Sequence, residues 1–89
     1  MTSWTFLSHH AQVFLCVARD PDVRLREIAT AVGITERAVQ AIVNDLVAEG
    51  YVDRTRVGRR NHYSIHADVP MRHRLQGDLD AGTLLTLLR

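Results

Sequence analysis

Eighty-nine residues with 46% hydrophobic side chains suit one folded domain and exclude a disordered chain. No run of about 18 apolar residues occurs, which excludes a membrane-spanning helix, and a single cysteine, Cys16, excludes an internal disulfide. The net charge of +1 points to no partner, but its distribution does: residues 1–50 hold four arginines against six acids, residues 51–89 hold seven against four, and four of those seven fall between Arg54 and Arg60.

Residues 1–7 read as a lead-in, with Trp4 and Phe6 alternating about Thr5 and packing on the domain or on a partner. Ser8 is a candidate N-cap for a first helix over His9–Arg19, which Pro21 closes. That helix contains VFLCVA, apolar on every side, so one face meets the domain and another needs the C-terminal segment or a second subunit. Val23–Leu25 suit a one-bridge strand leading into a second helix over Leu25–Val32, with Leu25, Ile28, Ala29 and Val32 inward. Gly33 makes a left-handed turn, Ile34 plugs the corner, and Thr35 caps a third helix over Glu36–Glu49. Val39, Ile42, Val43 and Leu46 recur at helical spacing and face inward, and Gly50 ends the helix.

Tyr51–Arg56 and Asn61–His66 read as the strands of a hairpin over about residues 51–66, joined by Val57–Arg60 with Gly58 at the bend. From Pro70 the chain turns irregular, and Gly77 and Gly82 break any long helix. Asp80 caps a short last helix carrying Leu84, Leu85, Leu87 and Leu88, within a packing or dimerisation tail over about residues 70–89. The expected fold class is mainly α with a small β-hairpin: a winged helix-turn-helix with a three-helix core, a wing and a C-terminal helical tail, in a single domain over residues 1–89.

Two short amphipathic helices across a glycine turn, followed at once by a basic hairpin, suit double-stranded DNA. With Val39 and Val43 inward, the outward stripe of the recognition helix (residues 35–49) holds Glu36, Arg37, Gln40, Ala41 and Asn44. Gln and Asn pair bidentately with adenine and Arg with guanine. Thr35 offers its hydroxyl and the helix its first N–H groups to phosphate, and Glu36 either accepts from cytosine or complements the helix dipole. In the wing, Arg54, Arg56, Arg59, Arg60 and His62 reach for phosphates or a minor groove, with Arg59 and Arg60 at the tip. Arg26, in the first turn of the second helix, is a further phosphate contact. The opposing reading of the wing is a solvated hairpin with Arg54 paired to Asp53 or Asp45. The expected dimer contacts are Trp4, Phe6, Val13, Cys16, Val17, Leu84, Leu85, Leu87 and Leu88.

Trp4–Leu7, Arg24–Ala29, the GITERA motif over Gly33–Ala38, Glu49–Val52 and the VGRRN motif opening Val57–Tyr63 together resemble the winged helix-turn-helix transcriptional regulators of the MarR and ArsR type. They resemble more closely a group of very short actinobacterial regulators. The resemblance implies a DNA-binding, repressor-like protein that is commonly a homodimer. The sequence departs from that pattern at Arg24, where related helices often carry a Ser or Thr cap, and at Ala41, where many carry a polar group.

The remaining chemistry is sparse. Cys16 reads as a small core residue, His9 and His10 diverge by about 100° on a helix, and His62 and His66 stand some 13 Å apart on a strand. No metal site and no cofactor is expected. No phosphate-binding glycine loop, nucleophile elbow or histidine–carboxylate spacing suggests an enzyme. The absence of a charged segment ahead of an apolar one points to the cytoplasm. The chain is short for a separate ligand-binding domain, so any small-molecule effector would sit in a dimer interface. The rival reading is a winged helix that serves protein contacts without DNA affinity, which the small net charge and the acidic third helix favour.

Overall fold

The computed structural model describes residues 4–88; residues 1–3 of the lead-in and residue 89 lie outside them. Three helices come first: α1 over His9–Arg19, α2 over Leu25–Val32 and α3 over Glu36–Ala48. A two-stranded antiparallel hairpin follows, β1 over Val52–Val57 and β2 over Arg60–Ile65, and then α4 over Ala81–Leu87. This is the mainly α winged arrangement that the patterning predicts.

Local chemistry sets the helix ends. Ser8 accepts from the Ala11 N–H, Thr35 from Ala38 and Asp80 from Thr83, so each cap satisfies a donor that the helix cannot. At α2 the Arg24 side chain caps nothing; instead the Glu27 carboxylate accepts from the Arg24 backbone N–H at 3.0 Å, which is half of a capping box. Gly33 stops α2 in the left-handed region at φ 85° and turns the chain into α3.

The core lies where α1, α2 and α3 meet and where the base of the hairpin closes over them. Val13, Val17, Ile28, Val39, Val43 and Val52 are fully buried there, with Phe14 and Tyr51 packed edge to face at 6.4 Å between ring centroids. Val13 and Val17 are 0% and 1% exposed within the single chain. They have no surface left for a second subunit, so their expected place in a dimer interface is corrected to the interior. The apolar-all-round helix is covered in cis: Val69 and Leu85 pack on the core, Leu85 and Leu88 line a cleft with Leu15 and Ala18, and the Arg19 guanidinium donates to the Leu88 carbonyl at 3.3 Å.

One other expectation changes. Val23–Leu25 form no strand. The free edge of β2 is met instead by the turn before α2, where the Tyr63 N–H donates to the Pro21 carbonyl at 2.8 Å. The last helix is short and capped by Asp80 as expected, with Gly82 as its second residue and the Gly82 N–H bonded to the Ala67 carbonyl at 2.8 Å. The irregular segment between is closed by a bridge between Pro70 and Asp80, and the buried Tyr51 hydroxyl donates to the Pro70 carbonyl at 2.6 Å.

The hairpin is tighter than the sequence suggests. Val57 pairs with Arg60, leaving two residues, Gly58 and Arg59, to make the turn. Gly58 sits at φ 63° while Arg59 does not have a positive φ, the pattern of a type II′ turn, whose twist matches that of the strands. Arg59 therefore stands at the tip and Arg60 opens β2.

Candidate nucleic-acid interface

Helix α3 turns Val39, Ile42, Val43 and Leu46 into the core, which leaves Glu36, Arg37, Ala41 and Asn44 exposed and Gln40 half-buried on the other side. The predicted stripe is thus continuous on one surface. Thr35 holds its hydroxyl oxygen against the Ala38 N–H, so its role in the fold is the cap. The acids of α3 and of its C-cap, Glu49, divide by side. Asp45 meets His10 at 2.8 Å and Glu49 meets Arg72 at 3.6 Å, contacts to α1 and to the C-terminal segment. The acidity of the helix is therefore drawn away from the stripe, where Glu36 is the one acid.

The hairpin stands beside this stripe, docked to the turn before α2. Arg60 donates to the Asp22 carbonyl at 2.9 Å, and His62 Nδ1 lies 2.8 Å from Asp22 Oδ1. With the bond from Tyr63 to Pro21, these contacts lay the wing along residues 21 and 22. Arg24, Arg26, Glu36, Arg59 and Arg60 line one groove between the hairpin and the starts of α2 and α3. Asp22 lines it too, so four guanidiniums stand against two acids and the cleft is net cationic, a chemistry that suits phosphate.

Arg54 pairs with neither Asp53 nor Asp45. Asp53 is taken by His66 at 2.7 Å, and Arg54 Nη1 donates to Asn44 Oδ1 at 3.0 Å, joining wing to helix. Arg56 donates from Nε to the Gly58 carbonyl at 3.2 Å and so supports the turn. Sequence reasoning does not single out Asp22 or Arg24 for this surface. Asp22 is an ordinary turn residue, and only the long-range docking of the wing gives it a partner. Arg24 stands out in the sequence solely as an unusual helix cap.

Elsewhere the expected chemistry is quiet. Burial pushes the pKa of the half-buried Cys16 thiol up, against the lowering influence of Arg19. The thiol therefore keeps its proton at neutral pH. Among the described residues no three His, Cys, Asp or Glu side chains converge to hold a metal ion, and no helix is long and apolar enough to cross a membrane. Of the other expected dimer contacts, Trp4 and Phe6 are 65% and 92% exposed and stack edge to face at 5.1 Å, Leu87 is 77% exposed, and Cys16, Leu84, Leu85 and Leu88 are half-buried against their own chain.

Comparison with known proteins bears on this geometry. The sequence profile described as MarR family matches residues 5–60. Among solved structures, the chain is similar to the PcaV transcriptional regulator from Streptomyces coelicolor in complex with its natural ligand, at 23% identity and a TM-score of 0.58, over 74% of this chain and 49% of that one. It is also similar to the zinc-dependent MarR family transcriptional regulator AdcR in the Zn(II)-bound state, at 20% identity and a TM-score of 0.52, over 73% of this chain and 47% of that one. The chain spans about half the length of these two proteins, and at these identities the likeness is one of fold. No curated protein sequence matches the chain significantly.

Proposed function

The chain belongs to the MarR family, and on that premise we propose that it is a sequence-specific regulator of transcription that binds double-stranded DNA. Helix α3 enters the major groove with Arg37, Gln40 and Ala41 toward base edges. The wing follows the backbone or the adjacent minor groove with Arg56, Arg59 and Arg60. The observation that carries this reading is the shared surface. The polar stripe of α3 lies beside a groove lined by Arg24, Arg26, Arg59 and Arg60, while Asp45 and Glu49 are engaged elsewhere.

Fluorescence anisotropy of a mixed-sequence duplex, titrated at low and near-physiological salt, tests the reading. Binding that weakens steeply with salt is expected, because each neutralised phosphate releases counterions. No binding at low salt would replace the reading with that of a protein-contact module.

The same proposal includes a homodimer. The exposed Trp4–Phe6 pair and Leu87 are apolar surface that this chain leaves uncovered. A twofold dimer presents two recognition helices to successive major grooves, so half-sites about one helical turn apart follow. Size-exclusion chromatography with light scattering should give twice the chain mass. Replacing Trp4 and Phe6 by alanine should shift the protein toward monomer, whereas a monomeric parent protein would remove both the dimer and the palindromic site.

A further inference from the structure

Gln40, Asn44 and Arg54 form one hydrogen-bonded chain from recognition helix to wing. Gln40 Nε2 donates to Asn44 Oδ1 at 3.0 Å, and Arg54 Nη1 donates to the same oxygen at 3.0 Å. Gln40 and Asn44 stand four residues apart, neighbours on one helix face. Arg54 is held in place by the hairpin register, opposite Tyr63, which is 2% exposed.

The chemistry of arginine decides how both amides point. A guanidinium only donates, so the Asn44 atom that faces it is oxygen. Gln40 meets that same oxygen and must meet it with nitrogen. The two lone pairs of Asn44 Oδ1 are then both used. Asn44 has no acceptor left and cannot pair bidentately with adenine, which needs one acceptor and one donor from the same amide. Gln40 keeps both: its Oε1 is free, and Nε2 retains a second N–H beside it. That edge complements the N6 amino group and N7 of adenine.

We propose that Asn44 and Arg54 are positioning residues that preset the Gln40 amide to read an adenine in the major groove. The proposal rests on the reading of α3 as a recognition helix. It takes Asn44 out of the set of base readers and gives the first arginine of the wing a part in specificity as well as in affinity. Part of the ordering cost of a glutamine side chain is thereby met before DNA arrives.

The test measures base preference separately from affinity. Competition anisotropy against duplexes varied one base pair at a time is run for the parent protein and for Gln40→Ala, Asn44→Ala, Asn44→Asp and Arg54→Ala. Gln40→Ala should lose about tenfold preference for adenine at one base pair in each half-site. Asn44→Ala and Arg54→Ala should relax preference at that same base pair, and adding Asn44→Ala to Gln40→Ala should relax it no further. Asn44→Asp keeps an acceptor for both partners, so it should retain the adenine preference while its added negative charge weakens every duplex alike. Relaxation at a different base pair in Asn44→Ala, or loss of adenine preference in Asn44→Asp, would show Asn44 reading a base itself and overturn the proposal. Unchanged preferences in Asn44→Ala and Arg54→Ala would overturn it as well. A parent protein that binds no duplex removes the DNA reading and this inference together, an outcome distinct from binding with unaltered base preferences.

Discussion

Replacing Arg59 and Arg60 together by alanine should weaken binding to every duplex by a similar factor and flatten the salt dependence of log K by about 1.8, or about 0.9 for each phosphate no longer neutralised. The two residues reach that result differently. Arg59 occupies the two-residue turn, is exposed and lines the groove, so its charge is open to a phosphate there. Arg60 is the first residue of β2 and donates to the Asp22 carbonyl at 2.9 Å, so it also docks the wing. The single variant Arg59→Ala should therefore lower the salt slope and leave the fold untouched. Arg60→Ala should lower it and also loosen the hairpin, which hydrogen exchange at the Tyr63 amide reports through its bond to Pro21. Base preferences should survive in Arg59→Ala, because phosphate contacts carry no sequence information. A double variant with the parent's affinity and salt slope would remove the wing from the DNA interface.

The helices were legible because their signals are local. Ser8, Thr35 and Asp80 act as the caps that their side chains suggest, and Gly33 takes the left-handed turn. The inward set of α3 follows from spacing alone. What the sequence hid is long-range. Nothing local distinguishes a turn that supports the edge of β2 from a third strand, and the difference is one bond, from Tyr63 to Pro21. The burial of Val13 and Val17 depends on how α2, α3 and the hairpin close on α1, which periodicity does not measure in a helix apolar all round. Likewise, Arg54 has two acidic candidates in sequence terms, Asp53 and Asp45. Asp53 and Asp45 are claimed by His66 and His10, and the guanidinium goes to Asn44. Net charge misled in the same way. Counting the acids of α3 gives an acidic helix, whereas their distribution around it leaves Glu36 alone on the stripe.

Ile28→Ala should be the most damaging conservative truncation in the chain. Ile28 is 0% exposed and belongs to the cluster in which α2 meets α1 and α3. Removing a buried aliphatic side chain of this size costs about 2–5 kcal/mol, the transfer contribution plus the cavity left behind. At about 0.05–0.15 kcal/mol per residue, a chain of 89 residues has about 4–13 kcal/mol in total. The truncation therefore takes a large share of the stability and can unfold a marginal domain outright. Urea unfolding should show a midpoint lower by about 1–3 M, with Ile28→Val, at about 0.5–1.5 kcal/mol, falling between variant and parent. Because Ile28 is buried in the core and lies off the outward stripe, DNA affinity measured where the variant is still folded should stay near that of the parent, which separates stability from recognition. The same titrations bear on the second subunit. A midpoint that rises with protein concentration marks stability shared across a dimer, and one that does not marks a domain that stands alone. A midpoint unmoved by Ile28→Ala would mean that α2 is not closed against its neighbours as described.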